Sequence, residues 1–222
     1  WNYTAAVANG ATTTMTTERA NHTATLLVNG KVLVAGGSDF DTTTRSSELF
    51  DPATGLWQIT GDLRTERQGH TATLLPDGRV LAAGGQLNNG TVLSSAEIYD
   101  PSTSSWNFVG SMKSPHFNHT ATLLPSGKVL VTGGSSVGAA NSELGSTAIA
   151  VVEVFDPATN QWTQLGSMKA SRQQHTATLL PNGSLLIAGG ILTSSSTTAI
   201  ITAEIYNPTT GESVLTASMN NP

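Results

Sequence analysis

The segment His-Thr-Ala-Thr-Leu-Leu occurs four times, beginning at His22, His70, His119 and His175, at intervals of 48, 49 and 56 residues. A period near fifty means that one supersecondary unit has been copied along the chain. A unit of that size cannot bury its own apolar faces, so neighbouring copies must stack on one another. Each copy runs through a turn, Val28-Asn29-Gly30, Pro76-Asp77-Gly78, Pro125-Ser126-Gly127 or Pro181-Asn182-Gly183, whose composition suits a tight hairpin. An apolar strand follows and ends in a glycine pair, at Gly36-Gly37, Gly84-Gly85, Gly133-Gly134 and Gly189-Gly190. An uninterrupted apolar run bounded by turn residues predicts a strand buried on both faces.

After a variable polar stretch comes a third strand, which starts at Glu48, Glu97, Glu153 or Glu204 and ends in Asp-Pro or, at Asn207, Asn-Pro. The Asp or Asn side chain can bond the turn's own N–H groups while Pro presets φ. Trp57, Trp106 and Trp162 then open a short fourth strand. Four strands per copy predict an all-β chain of strongly twisted antiparallel sheets. Such sheets fan around an axis when stacked face to face, so the expected architecture is a β-propeller.

The glycine pair, the aromatic of the third strand, the Asp-Pro turn and the Trp after it resemble the kelch repeat, from about Met15 to Met219. The HTATLL and VLVAGG strands are especially similar to bacterial kelch repeats. The resemblance implies four-stranded antiparallel blades around a channel, with loops presenting the binding surface. One domain over 1–222 is expected, with repeats at about 19–66, 67–114, 115–171 and 172–222 and an extra N-terminal strand in 1–18. Strand-like pieces at both ends suit a four-bladed ring with an added segment or an open part of a larger propeller; the second is the reading taken here. A start at Trp1 rather than Met suggests a processed or trimmed chain. Two departures stand out. The fourth copy has Ser213 where Trp is expected, which predicts looser packing or a terminal role, and the third has Pro115-His116-Phe117 where the others carry Arg19, Arg67 and Arg172.

Four register-equivalent histidines near an axis could hold a transition metal. The structural reading is favoured, in which each ring bonds the backbone of a neighbouring blade. Arg19, Arg67 and Arg172 recur with Glu48, Glu97, Glu153 and Glu204, and a guanidinium fork satisfying a half-buried carboxylate explains one acid and one base per copy. The repeat thus accounts for seven of the fifteen acids. The other eight are Glu18, Asp39, Asp41, Asp62, Glu66, Asp77, Glu143 and Glu212, and they are scattered. The tightest pair, Asp39 and Asp41, could in principle hold Ca²⁺ but lacks the Gly and distal Glu of a recognisable loop.

Composition narrows the function. Net charge is −5 with ten Lys and Arg, so no basic footprint for nucleic acid is present. No run is apolar enough to span a bilayer. With no cysteine, thiolate metal sites and cysteine nucleophiles are excluded, as is the Cys–Tyr copper chemistry that galactose-oxidase-type kelch propellers use. No arginine triad of the sialidase kind is left over. No catalytic residue, metal or cofactor is therefore expected. Only 11% of residues are charged, while 56 are Ser or Thr, a surface that resembles bacterial secreted or cell-surface repeat proteins.

Function is expected in the stretches that vary while the frame repeats, Ser38–Ser47, Gln86–Ala96, Ser135–Val152 and Ile191–Ala203. The candidate binding residues are Asp39, Phe40, Asp41, Leu87, Asn88, Asn89, Ser136, Asn141, Glu143, Thr193 and Ser195. The β-branched runs Thr147–Val152 and Ser196–Thr202 are expected to extend strands or offer edges to a partner. The sequence reads as a non-catalytic, extracellular or cell-surface module that binds a protein or glycan through these loops. The alternatives are a structural subunit that self-associates through blade edges and a carbohydrate-active propeller enzyme.

Overall fold

The computed structural model describes residues 10–39, 41–138, 145–195 and 199–220, and these contain no helix. Four four-stranded antiparallel sheets follow one another along the chain. Blade 1 is β1 (Thr23–Leu26), β2 (Val32–Ala35), β3 (Ser47–Asp51) and β4 (Leu56–Ile59), hydrogen-bonded in that order. Blade 2 repeats it with β5 (Thr71–Leu74), β6 (Val80–Ala83), β7 (Ala96–Asp100) and β8 (Ser105–Phe108). Blade 3 comprises β9 (Thr120–Leu123), β10 (Val129–Thr132), β13 (Val152–Asp156) and β14 (Gln161–Gln164), with a two-stranded insertion of β11 (Ser135–Val137) and β12 (Thr147–Ala148) inside its variable stretch. Blade 4 is β15 (Thr176–Leu179), β16 (Leu185–Ala188), β17 (Ala203–Asn207) and β18 (Glu212–Leu215).

The hairpin between the first two strands has three loop residues, not two. Gly30 N–H bonds Leu27 C=O and Leu27 N–H bonds Lys31 C=O, with Gly30 at φ +81. This is a type I turn closed by a left-handed glycine. It explains why Pro76, Pro125 and Pro181 precede the Asp, Ser or Asn, since Pro fits the second position of a type I turn. The Asp-Pro turns close as expected, with Asp51, Asp100, Asp156 and Asn207 each accepting the N–H two residues on.

The core lies between blades. One cluster joins Leu27, Leu33, Ala35 and Leu63 of blade 1 to Val80, Ala82, Tyr99 and Trp106 of blade 2. Blades 2 and 3 pack the same way through Leu81, Met112, Phe155 and Trp162, and blades 3 and 4 through Leu130, Met168, Leu185 and Tyr206. In blade 4 the apolar positions on the side away from blade 3 are only half-buried (Leu180, Leu186, Ala188), and Met219 is 38% exposed where its blade-2 counterpart Met112 is 4%. Ser213 does not loosen this blade. It is buried, and its hydroxyl donates to Glu204.

A second seam runs near the axis through main-chain atoms alone. Gly69 N–H bonds Asn21 C=O, Asn118 N–H bonds Gly69 C=O, and Gln174 N–H bonds Asn118 C=O. All four residues sit in the left-handed region, with φ between +53 and +58.

Candidate functional site

The antiparallel path puts the short hairpins at one end of every blade and the glycine pairs, variable stretches and His-Thr segments at the other. What fixes this second end is a joint repeated in each blade. Arg67 bonds Gly84 C=O, Ser95 C=O and Oγ, and the Glu97 carboxylate at 2.7 Å, with both ionic side chains fully buried. Glu97 also accepts the N–H groups of Arg64 and Thr65. Arg19 with Glu48 and Arg172 with Glu204 repeat the arrangement. Because Thr16 and Thr17 N–H cap Glu48 as Arg64 and Thr65 cap Glu97, residues 16–19 stand in repeat register. The expected extra strand is otherwise limited to a bridge between Thr12 and Trp57, and 1–9 lie outside the described residues.

Three of the four repeat histidines, His70, His119 and His175, are structural, but not through backbone acceptors, while His22 is exposed. Nε2 of His70 lies 3.1 Å from Thr23 Oγ1, that of His119 lies 2.9 Å from Thr71 Oγ1, and that of His175 lies within 3.2 Å of both Thr120 and Thr132 hydroxyls. The partner is thus the Thr of the preceding blade's own His-Thr motif, which is why the two residues recur together. Each ring is wedged against glycine. A Cβ on Gly36 would sit 2.8 Å from His70 Cε1 and 2.6 Å from Arg67 O, so no other residue fits there. Burial pulls the His70 pKa down to about 3, with the charges of Arg67 and His22 adding to it, and pulls His175 to about 4 with help from Arg172. Among the described residues, blade 4 does not pack back on blade 1. Gly189, the fourth equivalent of Gly36, meets only Met219 and Ile200, and no histidine ring packs on it. Among the described residues no group of three or more His, Cys, Asp or Glu side chains could hold a metal.

On this frame the variable stretches form one continuous surface. Asn88 Nδ2 donates to Asp41 C=O at 2.6 Å, linking the first and second loops. Gly138 lies so close to Gly90 C=O that a Cβ there would clash, linking the second and third. Thr147 bridges Thr193, Ala148 N–H bonds Leu192 C=O, and Ser194 N–H bonds Ser146 C=O, linking the third and fourth. Asp41, Asn88, Asn89 and Ser195 are exposed, while Leu87, Ser136 and Thr193 are half-buried. Asp39 is exposed but engaged in its own turn, where Oδ1 accepts Asp41 and Thr42 N–H; those bonds lower its pKa and explain the Asp39–Asp41 pair without Ca²⁺. Phe40, Asn141 and Glu143 lie outside the described residues. Val137 and Leu192, both exposed apolar residues of this surface, carry no signal in the sequence beyond being apolar in a polar stretch. Of the predicted β-branched runs, Thr147–Ala148 forms β12; in the second, 196–198 lie outside the described residues and 199–202 are not strand.

Of the eight spare acids, Glu18, Asp39, Asp41, Asp62, Glu66, Asp77 and Glu212 are exposed, and Glu143 lies outside the described residues. Two cavities open between blades 1 and 2 beside Arg45 and Arg64, and each contains one such acid, Asp62 or Glu66. A pair of carboxylates across a cleft, as glycosidases need, is not formed there.

Stacked four-stranded blades joined by Arg–Glu and His–Thr–Gly contacts define a kelch β-propeller module. The KLHDC2/KLHL20/DRC7 Kelch-repeats domain model matches residues 21–212, and the chain belongs to that family. No curated protein matches it by sequence. Among solved structures it is similar to YjhT, with 16% identity and a TM-score of 0.73 over 93% of this chain and 68% of that one. It is also similar to a fungal alcohol oxidase of the AA5 family in complex with copper, with 17% identity and a TM-score of 0.55 over 91% of this chain. The chain spans about half of that oxidase, 54% of its length. Both likenesses concern the fold.

Proposed function

We propose that this chain is a non-catalytic interaction module that binds a protein partner through its variable-loop face. The observation that carries the reading is the continuity of that face. Four stretches unrelated in sequence are tied to one another by hydrogen bonds and close contacts while the repeat holds their ends. A sparsely charged, hydroxyl- and amide-rich surface with Val137 and Leu192 exposed offers adaptable hydrogen bonding around a few apolar contacts. Membership of a kelch family supports a protein partner over a glycan. The low charge and the Ser/Thr-rich composition support an extracellular or cell-surface setting. A photo-crosslinking residue at Asn88 or Thr193 is expected to give discrete adducts in the source cells, and the same residue at Asn29 on the hairpin end is expected to give none. Equal labelling from both ends, or none from the loop end, would overturn the proposal.

A second reading, self-association, is favoured by the half-buried side of blade 4. Its occupant is a second copy of the chain, offering the blade 1 side formed by Val32, Phe50 and Trp57, which are also half-buried. The argument is continuity, because this pair of sides is the pair already joined at all three internal seams.

A further inference from the structure

We infer that a second copy of the chain docks on blade 4 through a fourth repeat of the axial seam, seating its His22 against Gly189. The inference rests on the self-association reading and adds the contacts that form the joint and the features that restrain it. Each internal seam carries three axial contacts in fixed order. The second glycine of one blade sends its N–H to the residue three before the next blade's histidine: Gly37 to Arg67, Gly85 to His116 and Gly134 to Arg172, each at 2.8 Å. The residue before that histidine donates its N–H to its counterpart one blade behind. The histidine ring meets a Thr hydroxyl and the first glycine of the blade behind.

Among the described residues both ends of this pattern are open, and they complement each other. Blade 4 offers Gly190 N–H and Gln174 C=O, neither of which has a main-chain partner. Its Thr176 is exposed and its hydroxyl reaches only Ala188 C=O, at 3.5 Å, while the slot over Gly189 holds no histidine. Blade 1 offers Arg19 C=O and Asn21 N–H, also without main-chain partners, and the exposed ring of His22. Every donor on one side therefore has an acceptor on the other, at the same repeat position. A partner of another sequence would have to match all of them, whereas a second copy does so by construction. Because the two surfaces differ, the contact is heterologous, and copies add head to tail.

Two features restrain the contact. Gly61, Gly110 and Gly166 lie against the next blade's Asp-Pro turn, where a Cβ would clash with the carbonyl oxygens of Ser104, Asn160 and Gly211. The fourth counterpart is Ala217, two residues before Met219 as Gly166 is two before Met168, so its methyl group keeps the rim from closing as tightly. The other feature is the segment before Thr16. Thr60, Val109, Leu165 and Thr216 each donate their N–H to the blade they leave, at the C=O of Ser47, Ala96, Val152 and Ala203. Thr12 holds the same repeat position, but among the described residues no blade stands behind it. It bonds forward instead, exchanging N–H and C=O with Trp57 at 2.8 and 2.7 Å. Residues 12–15 of an arriving copy and 216–219 of blade 4 thus claim one place, and docking requires the arriving segment to leave Trp57.

Sedimentation equilibrium of the intact chain reads both the joint and its restraint. Thr12→Pro removes the N–H given to Trp57 and leaves the blades untouched, so it is expected to tighten self-association several-fold, as is Ala217→Gly. His22→Ala and Thr176→Val change exposed positions on the two facing sides, and each is expected to weaken it about tenfold, in the wild type and in T12P alike. The double variant H22A/T176V is expected to be no weaker than H22A, because each residue has lost the other. Mass growth that H22A and T176V leave unchanged would overturn this inference while self-association itself stands. A single species at every concentration in the wild type, T12P and A217G would overturn both.

Discussion

Trp162 carries its indole N–H into the seam between blades 2 and 3 and finds no acceptor, whereas Trp106 in the equivalent place bonds Ser47 Oγ at 3.1 Å. The difference lies in the preceding blade, where Ala96 replaces Ser47 at the first position of the third strand. A buried donor left without a partner costs free energy that a well-placed hydroxyl recovers. The substitution Ala96→Ser is therefore expected to stabilise the chain by about 1 kcal/mol, seen as a rise in Tm of about 2–4 °C. A fall or no change would show that the indole is satisfied by water. The same comparison shows what single residues reveal in sequence. Arg67 and Glu97 are legible as a pair because both recur, but Ser47 is one of 56 Ser and Thr residues, and nothing local marks it as an acceptor 59 residues from its Trp.

At the scale of elements, the inner strands carry an acid-sensitive device. His70, His119 and His175 are buried with lowered pKa values, so the unfolded chain takes up protons that the folded chain refuses. Stability is then full above about pH 6.5, the unfolded value, and declines as pH falls toward about 3 for His70 and about 4 for His175. Each histidine contributes a slope of up to about 1.4 kcal/mol per pH unit in that window. Urea midpoints measured from pH 7 to 4.5 should fall less steeply in His175→Gln, whose amide can still meet the Thr hydroxyls; an unchanged slope would contradict the assignment. The strands themselves were readable because apolar runs, hairpin turns and Asp-Pro stops recur in step. Their seams were less so. The backbone ladder through Asn21, Gly69, Asn118 and Gln174 uses the residue before each repeat histidine, a fixed position whose side chain varies from Asn to Gly to Gln and whose shared feature is a left-handed φ. The β11–β12 insertion depends on Thr193 in the next blade, a pairing across unrelated loops that no periodicity encodes.

For the whole molecule, the sides facing away at blades 1 and 4 decide whether self-association accompanies loop-face binding. Sedimentation of the chain over a concentration series should show reversible mass growth, abolished by Leu186→Lys, with Leu123→Lys on an exposed inner-strand position leaving it unchanged. A single species of about 23 kDa at every concentration would remove that reading. The architecture could be foreseen from the period, because each copy lacks what its neighbour supplies, and the family from the glycine pair, the Asp-Pro turn and the Trp after it. The loop face could be foreseen only as a location, because its cohesion rests on contacts such as Asn88 to Asp41 between stretches of different length. The backbone ladder carries one more consequence. Every step in it presents the same N–H on one side and the same C=O on the other, so removing residues 67–114 would set the third copy against the first with donors and acceptors still matched. The number of blades is then a quantity that gene duplication and deletion can change in whole units, each product inheriting a seam that already fits.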